Sequence, residues 1–369
     1  MRVLHCIYTL GGGGAERQLV YIARQMAEDG LETHVAFVKE GPNLKFLQQS
    51  NVILHALPHR AKYDPRMLLD LQKLISGLRP HIIQTWLTQM DILAGIAAWS
   101  ESVPVVLSER SSEMGYPKNT RNLTRCFVGR RATAVVSNSE KGSAYWRRQR
   151  FQGKMTIIRN GVPFEQMRQA RSCSRLPIGA GLMLSSDDKL ILYAGRFWEG
   201  KNLEVLLEAF SLMLGRCENA IVVLFGQGPM LPKMQRLHST LAHNGRVHIC
   251  DYTNRLWEYM QRANLFISLS LFEGSPNVVL EAIAAECPLV LSDIPEHREI
   301  VDEDSALLVP GQDAEAVAEA MLQVIAHPEY ASRLARRACA RISDWSVDRA
   351  AQQYMGLYNW IVSERRMGM

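Results

Sequence analysis

The chain has 369 residues, of which 47% are hydrophobic and 21% charged, with a formal net charge of +5. At about 150 residues per domain the length gives two domains with filled cores. The composition excludes a disordered chain, a collagen-like repeat and a disulfide-stapled miniprotein.

The net charge hides an asymmetry. Residues 1–180 hold 25 Lys and Arg against 13 Asp and Glu, whereas the remainder holds 17 against 24. Between Arg110 and Arg159 there are 12 basic and 2 acidic residues. Such a split points to an anionic partner for the first half. The longest apolar run, Ile92 to Trp99, is too short to span a bilayer. The opening MRVLHCIYTL has no apolar h-region and reads as a strand, not a signal peptide. Seven scattered cysteines, with no C-x-x-C pair, fit reduced thiols in a cytoplasm.

In chain order, Val3–Thr9 reads as the first strand. Gly11–Gly14 follow, then a helix with Leu19, Ile22, Ala23 and Met26 on one face and Gly30 as its stop. Further strands are predicted at Thr33–Val38, Val52–Leu57, His81–Gln84, Pro104–Ser108, Ala134–Ser137 and Met155–Ile158. A second series comprises Leu190–Ala194, Ala220–Phe225, Val247–Cys250, Leu265–Leu269, Pro288–Ser292 and Ala306–Val309. The helix after its first strand carries an apolar stripe of Leu203, Leu206, Leu207, Phe210 and Leu214. The tail reads as a helix capped by Ser346. Alternating strands and helices give an α/β fold with doubly wound parallel sheets. The expected division is an N-terminal domain over 1–170, a linker over 171–187, a second domain over 188–345 and a closing helix over 346–369.

Three motifs stand at strand ends. GGGGAER opens the first helix, where glycines admit close approach and free amides attract phosphate oxygens. Its spacing is not G-x-G-x-x-G, which disfavours a dinucleotide fold, and a plain surface turn is an equal reading. YAGRFWEGKN places Arg196 and Lys201 beyond a strand, where two cations suit a diphosphate leaving group; a solvated basic loop is the rival reading. SLFEGSPNVVLEAIAAECP is the most specific. Glu273 stands in a loop, with Ser275 as expected N-cap and Pro276 as first helical residue. Glu281 lies on an otherwise apolar helix, where a buried carboxylate is costly unless it binds something; sugar or ribose hydroxyls suit both acids.

With these motifs, and with FGQGPM and DIPEHREIV, nearly the whole chain resembles the retaining family 4 glycosyltransferases of the GT-B fold. The resemblance implies two Rossmann-like domains facing across a cleft, with the closing helix crossing back to the first. It implies that Gly13 and Gly14 lie against a donor diphosphate, that Arg196 and Lys201 hold that diphosphate, and that Glu273 contacts the donor sugar. Gly274, Asn277 and Val278 would meet phosphate or sugar, Glu281 the ribose, and Ile249–Tyr252 the base through backbone contacts. It further implies transfer with retention at the anomeric carbon and no metal or other cofactor, the departing phosphate assisting the acceptor hydroxyl. Many relatives carry a histidine after a strand of the first domain. Here Ser108, Glu109 and Arg110 occupy that neighbourhood. Glu109 and Arg110 are candidate acceptor-side residues, with a structural role held equal.

The stretch YPKNTRNLTRCFVGRRA places Leu123, Cys126 and Phe127 among Arg121, Arg125, Arg130 and Arg131, and YWRRQRF follows at 145–151. Basic segments with aromatics suit an anionic membrane surface, against the rival of a solvated face on a core helix. No nucleic-acid module is visible, so nucleic acid is not an expected partner. The expected activity is transfer of a sugar from a UDP-linked donor to a hydroxyl of a polyprenyl-diphosphate-linked saccharide. The expected setting is bacterial capsule, exopolysaccharide or O-antigen assembly, at the inner face of the cytoplasmic membrane. A sugar-nucleotide epimerase, an inverting transferase, an inactive GT-B scaffold and a nicotinamide-dependent oxidoreductase are the rivals.

Overall fold

A computed structural model describes residues 1–58, 64–111, 113–170, 176–178 and 183–367. The chain divides into two compact units: Met1–Gly161 with Trp345–Met369, and Val162–Asp344. Much of the 171–187 segment expected to link the domains lies outside the described residues.

Unit 1 is built on seven strands: β1 (Arg2–Cys6), β2 (Glu32–Phe37), β3 (Ile53–Ala56), β4 (Ile82–Trp86), β5 (Val105–Glu109), β6 (Ala134–Ser137) and β7 (Lys154–Ile157). They form one parallel sheet in the order β3-β2-β1-β4-β5-β6-β7. The inner strands are buried on both faces, which is why they read as largely apolar runs without a strict polar alternation. Leu19, Ile22, Ala23 and Met26 of the helix Gly14–Glu28 are buried as the pattern requires. The helix ends where Gly30 adopts φ +83°, a left-handed conformation that suits glycine. The closing helix Val347–Arg366 belongs to this unit. The Ser346 hydroxyl accepts from the Arg349 amide at 3.1 Å and caps it. Its Tyr354, Tyr358 and Ile361 pack with Ile22 and Met26, and the Tyr358 hydroxyl donates to Gln84 of β4. Burial of such side chains stabilises by about 1.5–3 kcal/mol each.

Unit 2 has six strands: β8 (Lys189–Ala194), β9 (Ala220–Phe225), β10 (Val247–Cys250), β11 (Leu265–Ser268), β12 (Leu289–Ser292) and β13 (Leu307–Val309). Their order is β10-β9-β8-β11-β12-β13, again all parallel. The predicted leucine stripe of the helix Leu203–Leu214 is buried, with Met213 beside it. In each sheet the strand order reverses once, between β1 and β4 in unit 1 and between β8 and β11 in unit 2. Loops leaving the carboxyl ends of those strands diverge and leave a crevice, the usual place for a ligand in such folds.

Among the described residues, no helix is long and apolar enough to cross a membrane. Six described cysteines are free thiols; Cys173 lies outside the described residues.

Candidate functional site

At the reversal point of unit 2, the loops after β8 and β9 are zipped together. The Gly195 amide donates to the Phe225 carbonyl at 3.0 Å, and the Phe197 amide donates to that of Gln227 at 2.8 Å. The approach demands glycine at 226, because a Cβ there would lie 2.0 Å from the Gly195 carbonyl oxygen. The loop then turns at Asn202, in the left-handed region at φ 54°. The Leu271 amide donates to the Gly200 carbonyl at 2.9 Å, which docks the loop after β11 onto the loop after β8.

That docking brings together Lys201 and Glu273. Lys201 Nζ donates to the Glu273 carboxylate and, at 3.3 Å, to Ser270 Oγ; the Ser270 hydroxyl donates to Glu273 Oε1 at 2.7 Å. Both charged side chains are nearly enclosed, 13% and 14% exposed. Burial alone pushes the Glu273 carboxyl up. The Lys201 charge and the hydrogen bonds from Lys201 and Ser270 outweigh it and hold the group below the ordinary carboxylate range. Glu273 is therefore an anion with fixed orientation, suited to accept from hydroxyl groups, and Lys201 is a cation with one carboxylate already on it.

Behind this pair runs a polar layer that the sequence reading missed. The Ser292 hydroxyl donates to the Ser270 carbonyl at 2.6 Å, and His297 Nδ1 lies 2.8 Å from the Ser292 carbonyl. His297 is fully buried; burial lowers its pKa, partly countered by that backbone bond and by the charge of Glu273. The ring thus donates from Nδ1 and presents a bare Nε2, which has no partner among the described residues. The buried Tyr193 hydroxyl, at the end of β8, is likewise without a partner, and burial with the nearby Glu273 charge raises its pKa. The serines of SLSLFEGS were the available signal, since hydroxyls at a strand end inside an apolar run need partners.

The other residues expected to meet a donor lie in the loop after β8, at β10, and in the loop and helix after β11. Arg196 is exposed in the loop after β8 and makes no hydrogen bond or ion pair with a described residue. Gly274 is half-buried. The helix begins at Asn277 and runs to Ala284. Pro276 is its N-cap, extended at ψ 98°, rather than its first helical residue as predicted, and Ser275 lies before the cap. Asn277 and Val278 are thus its first two residues. Glu281 follows on the same helix and is 3% exposed, as expected for a carboxylate on an apolar helix. Ile249 is half-buried on β10 and Tyr252, just beyond it, is exposed.

In unit 1 the structure corrects several expectations. For Glu109, held equally as an acceptor-side or a structural residue, the surroundings are those of a structural one. Glu109 is completely buried and accepts from the Ser111 amide at 2.9 Å, Arg125 Nη2 at 2.9 Å, Trp146 Nε1 at 2.8 Å and the Tyr116 hydroxyl. The side chain leaves β5 toward the helices Thr120–Gly129 and Glu140–Arg148, so its acceptors are spent inside the fold. Arg125, read as a surface cation, is buried too, bridging Glu109 and Asp91 between the rings of Tyr116 and Trp146. Two carboxylates share one guanidinium here. Burial, only partly offset by Arg125, pushes Asp91 up to about 6. Tyr145, Trp146 and Phe151 of the second basic cluster belong to the core, which leaves its arginines outside without aromatic company. Leu123 and Phe127 do stand out, 69% and 53% exposed, while Cys126 is buried.

Arg110 is half-buried, stacked 4.4 Å over Trp86, and donates to Asn160 at 3.0 Å and to the Tyr354 hydroxyl. Gly13 caps the helix Gly14–Glu28, as the first motif predicts. The Glu16 carboxylate lies against it, 2.4 Å from where a Cβ would stand, and burial raises the Glu16 pKa.

The two units match two family models. Residues 12–166 match Glycosyltransferase Family 4, and residues 188–327 match Glycosyl transferases group 1. The fold and its paired domains define a GT-B glycosyltransferase. The chain carries a family 4 glycosyltransferase domain followed by a group 1 glycosyl transferase domain. It is 25% identical over 317 residues, 78% of this chain and 79% of the relative, to an N-acetylgalactosamine-N,N'-diacetylbacillosaminyl-diphospho-undecaprenol 4-alpha-N-acetylgalactosaminyltransferase of Campylobacter jejuni. It is 27% identical to the putative glycosyltransferase EpsD of Bacillus subtilis over 47% of this chain; the match spans 46% of that protein's length. Among solved structures, Anabaena HepE in complex with UDP superposes with a TM-score of 0.81 at 16% identity, covering 97% of this chain and all of the other.

Proposed function

We propose that the protein is a retaining glycosyltransferase that moves a sugar from a UDP-linked donor to a hydroxyl of a polyprenyl-diphosphate-linked saccharide, in assembly of a bacterial surface polysaccharide. The observation that carries the donor half is the Lys201–Ser270–Glu273 cluster at the reversal point of a parallel sheet, with Glu281 buried on the helix that follows. Glu273 accepts from sugar hydroxyls and Glu281 from the ribose. Arg196 and Lys201 meet the charge that grows on the departing diphosphate, in the place a metal ion takes elsewhere. The bond from anomeric carbon to phosphate oxygen breaks, the acceptor oxygen bonds to the same face, and the departing phosphate takes the acceptor proton. No further cofactor enters. Gly13 and Gly14 belong to the donor side of this reading, Gly274, Asn277 and Val278 offer amides, and Ile249 and Tyr252 border the base.

The acceptor half is supported by the C. jejuni relative and by the charge split. It places the enzyme on the inner face of the cytoplasmic membrane, with unit 1 toward the lipid. The exposed Leu123 and Phe127 stand one turn apart on their helix, Arg131 lies 4.1 Å over the Phe127 ring, and Met114 is exposed nearby in sequence. Each well-placed cation near an anionic surface adds about 1 kcal/mol. The test is turnover with a panel of UDP-, GDP- and dTDP-sugars and a short-chain prenyl-diphosphate-linked saccharide, with the product's anomeric configuration read by NMR. Retention with a UDP-sugar supports the reading. Inversion, or no transfer from any donor, defeats it.

A further inference from the structure

Unit 1 contains a pocket of about 350 Å³ at its own strand-order reversal, lined by residues that follow β1, β4 and β5. Its wall includes Leu87, Gln89, Arg110, Tyr116, Asn119 and Arg121, and among the described residues no acidic one lines it. The buried carboxylates of Glu109 and Asp91 are already held by Arg125.

The helix Leu87–Ser100 starts in this wall, and no side chain caps it. Its first amides carry the positive end of the helix dipole and have no carbonyl ahead of them. Leu87, the first residue, sits at φ 67°, a left-handed conformation unusual for a residue with a Cβ. A helix start alone is not a site. Here a second, independent feature points the same way. Gln89, the third helical residue, is 4% exposed, and its Oε1 has no partner among the described residues. Its amide nitrogen has only the Met67 sulfur, at 4.0 Å. Arg110 Nε is also buried and has no partner among the described residues. A buried acceptor, a buried guanidinium donor and uncapped amides in one acid-free pocket match a ligand with both an oxyanion and a hydroxyl donor.

We infer that this pocket holds the glycosyl-diphosphate end of the acceptor, the phosphate oxygens on the helix start and Arg110, and a sugar hydroxyl donating to Gln89 Oε1. The inference rests on the proposed function for the identity of the ligand, and it makes Gln89 a specificity-determining residue.

The test is calorimetric binding to the full chain of three probes: inorganic pyrophosphate, a sugar 1-phosphate and a water-soluble short-chain prenyl-diphosphate-linked monosaccharide. The variants are Gln89→Leu and Gln89→Glu, with UDP binding as a control for folding. Thermal unfolding of each variant, beside UDP binding, shows whether it keeps its fold, since Gln89→Glu buries a carboxylate and Gln89→Leu does not. The expected result is prenyl-diphosphate-sugar binding to wild type that weakens at least tenfold in both variants, UDP binding unchanged, and pyrophosphate binding lost only with Gln89→Glu. Equal affinity of the prenyl-diphosphate sugar for wild type and both variants overturns the inference. Binding of the sugar 1-phosphate alone overturns the lipid-linked source. Because binding is read without turnover, a chain that transfers no sugar yet binds the probe this way sinks the proposed reaction and spares the pocket.

Discussion

The Ser270 hydroxyl donates to Glu273 Oε1 at 2.7 Å while its oxygen receives Lys201 Nζ at 3.3 Å, so one serine fixes both members of the ion pair. Ser270→Ala leaves the pair in place but removes its tether. The expected outcome is a loss of about tenfold in kcat, the worth of one charge-assisted hydrogen bond at about 1.4 kcal/mol, with little change in melting temperature. Steady-state kinetics beside thermal unfolding check it.

Lys201→Met acts on the same carboxylate by charge. With Lys201 present, Glu273 titrates below its ordinary value, and its ionised form is lost only as pH falls through that lowered pKa. Without Lys201, burial acts unopposed and the pKa rises. The acid limb of kcat/KM therefore moves to higher pH in the variant, and kcat falls about 100-fold or more. A pH–rate profile that keeps its acid limb after the substitution contradicts the assignment.

Much of this was legible beforehand, and the limits have physical causes. The inner strands were readable because burial on both faces gives largely apolar runs between turn signals, and the edge strands because they alternate with helices in the same rhythm. Lys201 and Glu273 stood out as charges in loops beyond strand ends, and Glu281 as a carboxylate on an otherwise apolar helix, while their roles came from the family resemblance. Pairing was not readable. Nothing in the spacing of Asp91, Glu109 and Arg125 announces that they meet inside the fold, since residues distant in sequence are joined only by tertiary packing. For the same reason charge counting placed Arg125 on the surface. Gln89 carried no signal, because an unsatisfied amide exists only relative to its surroundings.

The Asp91–Arg125–Glu109 network gives a stability prediction. Arg125→Met leaves two buried carboxylates without a cation and should cost about 3–5 kcal/mol, read as a lower urea midpoint. Adding Asp91→Asn and Glu109→Gln should recover most of that loss, because the charges themselves are gone. A triple variant no better than the single one would show that the packing of Arg125 between Tyr116 and Trp146, and not its charge, is what matters.

Two buried groups in unit 1 tilt stability with pH in opposite senses. Burial lowers His5 to about 3, so between pH 6.5 and 3 the unfolded chain takes up a proton that the folded chain refuses, and stability falls as pH falls. Asp91, raised to about 6, takes up its proton in the folded state first, and stability rises as pH falls from 6 to 4. His5→Gln should flatten the acid loss, and Asp91→Asn should steepen it. Melting temperatures across pH 4–7 test both.

Gly226→Ala places a methyl 2.0 Å from the Gly195 carbonyl and against the Phe197 ring. Overpacking of this kind costs about 1–3 kcal/mol. Because the strain falls on the loop that carries Arg196 and Lys201, KM for the donor should rise as the melting temperature drops. A variant with lowered stability and unchanged donor KM would uncouple that loop from the donor.

The central claim is that the carboxyl edge of the unit 2 sheet holds the nucleotide of a sugar donor through Glu281. Calorimetric titration of UDP into wild type and Glu281→Gln tests it most directly. The account predicts saturable binding to wild type and an affinity lower by about tenfold or more, at least about 1.4 kcal/mol, in a variant that melts no earlier. Equal UDP affinity in the two proteins, or no UDP binding to either, would contradict it.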